Sequence, residues 1–345
     1  MIEAKNLTKR YGVKTAVDRV NFQIHPGQVT GFLGPNGAGK STTMRMIVGL
    51  DRPTEGSVTI AGLPYADHRH PMFSVGALLE AKAVHPGRTA RSHLRSLAAT
   101  HRIPGRRVDE VLELTGLTEV ANRRVKGFSL GMGQRLGLAA ALLGDPETLI
   151  LDEPVNGLDP DGVMWVRNLL RQLAAEGRTV LLSSHLMSEM SITADHVIVL
   201  GRGQVVADAP IEEFVGSSSP NTVRVSGPNL ADLERALTSN KVSVSRKGDG
   251  TLEVRGLTAK QVGHHAFTER VELHELTTVK GSLEQAYMNL TRDDVEYRTD
   301  EAYSDAGLSR RQAAENTEPA REAEQEEEVA ASGTAGSASS KEELR

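Results

Sequence analysis

Three short stretches of this chain gather residue types suited to handling phosphate. Gly34-Pro35-Asn36-Gly37-Ala38-Gly39-Lys40-Ser41 fits the pattern G-x-x-x-x-G-K-[ST], and Thr42 continues it into a helical run reaching about residue 50. The apolar run 29–33 precedes it, so the loop falls between a strand and a helix. In that setting glycines let backbone N–H groups turn inward around a phosphate, and the helix N-terminus adds partial positive charge. Lys40 would then reach the β- and γ-phosphates of a nucleotide, and the Ser41 hydroxyl would ligate Mg²⁺.

The second stretch, Thr148-Leu149-Ile150-Leu151-Asp152-Glu153-Pro154, is an apolar run ending in two adjacent acids. Successive strand residues face opposite ways, so the two carboxylates can take different tasks. Asp152 suits a water-mediated hold on Mg²⁺, and Glu153 suits polarising an attacking water. The third is Phe128-Ser129-Leu130-Gly131-Met132-Gly133-Gln134-Arg135, lying just before the acidic strand. Asn156-Gly157-Leu158-Asp159, Ser184-His185 and Tyr11 complete the set.

In order and spacing, these elements resemble the ATP-binding subunit of an ABC transporter, over about residues 2–215. The resemblance implies two cassettes packed head to tail, each ATP lying between one copy's phosphate loop and the other's signature. On that basis Ser129, Gly131 and Met132 would complete the partner's nucleotide site, with helix N-terminal N–H groups meeting the γ-phosphate. Asp159 corresponds to the loop after the acidic strand. His185 would contact the γ-phosphate and hold the water of Glu153, and Tyr11 would stack on adenine. ATP and Mg²⁺ are the implied cofactors. The implied partners are a separate transmembrane permease and a second cassette, with a homodimer the economical form.

Two positions depart from the family pattern. The signature reads Gly131-Met132 where a Gly-Gln ending is usual, which removes a side-chain amide. The glutamine about forty residues past the loop lysine aligns with Glu80, so an amide Mg²⁺ ligand would become a charged carboxylate, a harder oxygen donor. These features, with the trailing module, most resemble antibiotic-export cassettes of the bacitracin and daunorubicin type.

The elements that must position these residues follow from hydrophobic patterning. Runs 148–151, 179–183 and 196–200 are apolar almost throughout, as in strands covered on both faces. Runs 2–7, 20–24 and 57–60 alternate and suit an antiparallel edge. The fold class expected is α/β: a P-loop NTPase cassette of ABC type with a mixed sheet, an antiparallel β edge and a helical subdomain at about 81–135. Ser217-Ser218-Ser219-Pro220 marks a linker over 216–221. A small α+β module is expected at 222–291, with strands at 222–226, 242–245, 251–255 and 271–276 and helices at 230–237, 259–268 and 282–290. Lys247-Gly248-Asp249-Gly250 supplies a hairpin turn. This module is read as regulatory or dimerising.

Residues 292–345 hold 7 Lys+Arg against 15 Asp+Glu and few aliphatics, the composition of a disordered acidic tail. The remaining 291 residues hold 33 against 30, so the broad basic footprint of a nucleic-acid binder is missing. With 0 cysteines, thiolate catalysis, disulfides and Cys-based zinc sites are excluded. The five histidines at 68, 70, 85, 93 and 101 fit no tight metal spacing. No apolar run reaches the roughly 18 residues a membrane span needs, and the start carries no signal-like apolar region. The expected place is therefore the cytoplasmic face of the membrane, reached through the permease.

Two other functions compete with that of a transport ATPase. Non-transport members of the superfamily either carry two cassettes or split one with a long coiled coil. This chain has one cassette, and only 112 positions separate Lys40 from Asp152. A binding-only regulatory cassette is the other, favoured by Met132 and Glu80 and opposed by the retained Glu153 and His185.

Overall fold

The computed structural model describes residues 1–80, 84–218, 221–238, 242–279 and 281–291. Two long strands, β1 (Ile2–Tyr11) and β2 (Lys14–Ile24), open the chain, followed by β3 (Val29–Leu33) and, after the glycine loop, α1 (Lys40–Ile47). Then come β4 (Glu55–Ile60), the single turn α2 (Pro71–Ser74) and the short strand β5 (Val75–Leu78). Three helices follow: α3 (Ala90–Thr100), α4 (Gly105–Leu114) and α5 (Leu130–Leu142). Strand β6 (Thr148–Asp152), α6 (Pro160–Ala175), β7 (Thr179–Ser183), α7 (Met187–Thr193), β8 (His196–Gly201), β9 (Gln204–Pro210) and α8 (Ile211–Ser218) complete this part.

Six strands form the main sheet in the order β5-β6-β7-β3-β8-β9, the first five parallel and β9 antiparallel to β8. Strands β3 and β7 are buried at every residue, which is why their sequences are apolar without alternation. Asp152 of β6 and Phe32 of β3 both stand opposite Ser183 of β7. The carboxyl ends of three neighbouring strands are thereby level, and in open α/β sheets ligands bind beyond such ends. A separate antiparallel sheet, β2-β1-β4, packs on one face of the main sheet, with Phe22 and Phe32 ring centroids 5.7 Å apart. On the other face lie α3, α4 and α5, whose Leu94, Val108, Val111, Leu112 and Leu136 are fully buried.

Past residue 221 come β10 (Thr222–Ser226), α9 (Ala231–Leu237), β11 (Ser243–Arg246), β12 (Leu252–Arg255), α10 (Ala259–Thr268), β13 (Glu275–Val279) and α11 (Leu283–Thr291). The strands form an antiparallel sheet ordered β11-β12-β10-β13. Its core is its own, with Val223, Val225, Leu252 and Val254 packed against Leu233 and Val262 of α9 and α10. Helix α11 leaves that core. Leu283 and Ala286 are buried in the same cluster as Phe214 of α8.

Some elements differ from the sequence expectation. Helix α8 continues through 216–218, where a linker is expected, because Phe214 and Val215 hold it against the core and α11 covers it. The strand expected at 271–276 forms at 275–279. Val271 closes the end of α10 by bonding to the Ala266 carbonyl, and pairing with β10 begins only when the His274 N–H meets the Ser226 carbonyl. Strands β5 and β9 carry too little apolar signal to be seen in advance. In β5, Gly76 is required because a Cβ there would lie 2.1 Å from the Ala141 carbonyl oxygen. The expected tail, 292–345, lies outside the described residues, as do 81–83 and 219–220.

Candidate active site

Two of the glycines in the phosphate loop are dictated by backbone shape and space. Gly34 has φ 153° and Gly39 φ 103°, and a Cβ at either would sit 2.6 Å from a backbone oxygen, of Leu200 and Ala16 respectively. Gly39 stands at the N-terminus of α1, where no side chain satisfies the free N–H groups, so they remain available to an anion. Pro35, Asn36, Gly37 and Ala38 carry the turn, closed by the Ala38 N–H donating to the Pro35 carbonyl. The Lys40 Nζ donates to the carbonyls of Gly34 (2.6 Å) and Pro35 (3.2 Å), which stretches the side chain across the loop mouth. Burial pulls its pKa below the usual lysine value, opposed by the nearby charges of Glu153 and Asp152.

The level strand ends now meet this loop. The Ser41 hydroxyl donates to Asp152 Oδ2 at 2.7 Å, and the Ser183 hydroxyl donates to Asp152 Oδ1. The Glu153 N–H is 3.1 Å from Ser183 Oγ and 3.3 Å from the Ser183 carbonyl. Glu153 has φ 51°, a left-handed conformation that costs a non-glycine residue about 1–3 kcal/mol. These bonds offset the strain, joined by the Gln134 amide, which donates to the Glu153 carbonyl at 2.8 Å. The turn swings the Glu153 carboxylate out of the strand direction to meet His185, whose Nδ1 lies 2.7 Å from Oε2. Side-chain exposure is 28% for Glu153 and 60% for His185, so the pair is open to an incoming molecule.

Glu80 lines a cleft of about 580 Å³ that also includes Ser41, Arg45 and Asp152. The aligned glutamate thus shares a space with both other candidate Mg²⁺ residues. Tyr11, half exposed, donates to Asp51 Oδ2 at 3.0 Å, and Arg45 Nε holds the same oxygen at 2.8 Å. Arg45 draws the Asp51 carboxyl below its usual range, while burial and Asp51 raise the tyrosine. The ring is thereby tied beside α1, in whose first turn Thr42 stands.

Ser129, Gly131, Met132 and Asp159 form a second group. Ser129 caps α5, its Oγ accepting the Met132 N–H at 3.2 Å. At Gly131 a Cβ would lie 2.8 Å from the Gly157 carbonyl oxygen, so α5 and the 156–159 loop touch at the backbone. Asp159 caps α6 through the Gly162 N–H (3.1 Å) and faces Arg135 at 4.0 Å. Arg135 in turn lies 5.2 Å from the Trp165 ring centroid. In one copy, then, Lys40, Ser41, Asp152, Glu153 and His185 converge, while Ser129, Gly131 and Asp159 present a separate surface.

Sequence reasoning assigned no task to Ser183 or Gln134. The signal for Ser183 was a polar residue closing an otherwise apolar strand. For Gln134 it was a single amide in a helix rich in leucine and alanine.

Residues 17–156 match the family described as ABC transporter, and residues 221–284 match a domain of unknown function. An uncharacterised ABC transporter ATP-binding protein, YhcH of Bacillus subtilis (strain 168), is 35% identical over 301 residues, covering 86% of this chain and 97% of the relative. The bacitracin transport ATP-binding protein BcrA of Bacillus licheniformis is 41% identical over 217 residues, 62% of this chain and 71% of the relative. A dimeric structure of the ATP-binding cassette MJ0796 in a post-hydrolysis state, bound to ADP and Pi, superposes with a TM-score of 0.56. It is 28% identical and covers 61% of this chain and 98% of that one.

Proposed function

Since the chain belongs to the ABC transporter ATP-binding family, whose members are ATPases, we propose that it powers a separate membrane permease exporting an antibiotic or similar compound. The transported class rests on the bacitracin and lantibiotic transport relatives. Among the described residues no helix is long and apolar enough to cross a membrane, so a permease partner supplies the pathway. Its place is the cytoplasmic face of the membrane, held there by that permease.

The observation that carries the hydrolytic reading is the bonded chain from Ser41 through Asp152 and Ser183 to Glu153 and His185. ATP lies along the loop, its β-phosphate meeting the N–H groups at the start of α1. Lys40 exchanges the Gly34 and Pro35 carbonyls for β- and γ-phosphate oxygens. Glu153 accepts a proton from the attacking water, and His185, bonded to the same carboxylate, holds that water and the γ-phosphate in line. Tyr11 stacks on the adenine.

Ser41 Oγ and Asp152 Oδ2, with the Glu80 carboxylate in the same cleft, are hard oxygen donors of the kind Mg²⁺ takes. The ion would neutralise charge developing on the β- and γ-phosphates. Ser129, Gly131, Met132 and Asp159 act on the nucleotide of a second, identical copy. In domain terms, the cassette runs to the end of α8, 222–291 form a regulatory or dimerising module and 292–345 an acidic tail.

The test is Glu153→Gln with ATP and Mg²⁺. Loss of a general base lowers turnover by about 100-fold or more while leaving binding in place. The variant therefore accumulates as a nucleotide-dependent dimer by size-exclusion chromatography with light scattering. A variant that turns over at the wild-type rate overturns the role of Glu153, and one that binds ATP yet stays monomeric overturns the paired arrangement.

A further inference from the structure

The segment beyond the cassette returns to it through α11, which packs on α8 and on α7, the helix that follows His185. Only Leu186 separates His185 from α7, and α7 has seven residues with no side-chain N-cap. A helix that short has no stability of its own and takes its position from what packs on it. Three supports come from the cassette. Met190 lies against Gly31 of β3, where an added Cβ would meet its sulfur at 2.4 Å. Arg167 of α6 pairs with Glu189 at 3.3 Å, and Arg171 donates to the Ile192 carbonyl at 2.7 Å.

The fourth support is α11. It packs against both α7 and α8, and its Leu283 and Ala286 are buried in one cluster with Met190, Ala194 and Phe214. Tyr287 and Leu290 close over the same cluster, as does Met187 at the first position of α7. Ser282 starts α11, its Oγ accepting the Gln285 N–H at 3.1 Å. Only 280–282 separate β13 from α11, and Gly281 is anchored to Asn221 Oδ1 at 3.2 Å, just before β10. The four-stranded sheet is thus joined to the cassette through α8 and α11 together, and α11 bears on α7.

We infer that α11 is a strap that positions His185. Leu283 and Ala286 fix α7, α7 fixes the backbone at His185, and the 222–279 sheet sets how firmly α11 is seated. Leu283 is a positioning residue, since it lies on α11, which packs on α7, and shares a buried cluster with Met190. The inference rests on the proposed role of His185 in turnover. It assigns the segment 222–291, most of which matches the domain of unknown function, a lever on ATP hydrolysis rather than on ATP binding.

The experiment uses the full chain, with Leu283→Ala, Leu283→Met, Leu290→Ala and His185→Ala measured side by side. Leu283→Ala should lower kcat by about tenfold, the scale on which small displacements of catalytic groups act, with the KM for ATP unchanged. Amide hydrogen exchange across 187–193 should quicken in the same variant, and Leu283→Met, which restores the volume, should return both values to wild type. If Leu283→Ala fails to fold, Leu290→Ala, at a half-buried position, makes the same comparison with a smaller effect. If His185→Ala abolishes turnover while both α11 variants keep the wild-type kcat, the strap is overturned and the histidine's role survives. If His185→Ala keeps the wild-type kcat, the role of His185 itself fails. Faster exchange in α7 with an unchanged kcat also overturns the strap.

Discussion

The two groups of candidate residues are built on opposite principles. At the strand ends beside the phosphate loop, side chains bond to side chains: Ser41 and Ser183 on Asp152, and His185 on Glu153. Around the signature, the functional side chains are spent on backbone, with Ser129 capping α5 and Asp159 capping α6. The first group is a converged site. The second is a surface of two helix N-termini, each capped by its own side chain and locked by the contact of Gly131 with Gly157. A molecule carrying one complete pocket and one complementary surface is suited to pairing with its own copy by two-fold symmetry, giving two composite sites.

The strongest way to break this comparison is to disable each group in a different copy. Lys40→Ala and Ser129→Arg should each abolish turnover alone, by about 100-fold or more. Mixed in equal amounts they should recover about a quarter of the wild-type rate, because half the dimers carry one intact composite site. No recovery on mixing, with folded proteins by circular dichroism, would confine each site to a single copy.

Glu80→Gln sharpens the first group. Replacing a charged oxygen donor by an amide should raise the Mg²⁺ concentration for half-maximal ATPase by about three- to tenfold. If Mg²⁺ dependence, turnover and transport all stay at wild type, Glu80 has no share in the site.

The smallest expected effect is at the signature departure. The Met132 N–H that bonds Ser129 Oγ is kept whatever the side chain, and the side chain is only partly buried, so Met132→Gln should change turnover by no more than about twofold. A gain of tenfold or more would show that the missing amide limits this cassette.

Much of the converged site was legible in advance because it is contiguous. The loop 34–42 and the acidic pair 152–153 each carry their chemistry within a few residues, and a strand before and a helix after suffice to orient them. The central strands were legible too, since complete burial leaves an apolar run. The edges were not. β9 alternates between exposed and half-buried residues, and β5 contains a glycine kept for close approach to α5. The boundary near 216 misled for a related reason: serines that favour a linker locally extend α8 because its neighbours bury Phe214.

What the sequence by itself determined is the backbone shape of the phosphate loop and the identity of its charged and polar groups. Glycine conformational freedom and side-chain chemistry are local properties, written residue by residue. What only the tertiary structure decided is which distant groups meet them. Ser183 lies thirty-one positions from Asp152 and Gln134 nineteen from Glu153, and both reach their partners through strand register and helix packing. The seating of α11 against α7 belongs to the same class, because burial of apolar surface is non-directional and names no partner until the whole chain has chosen one.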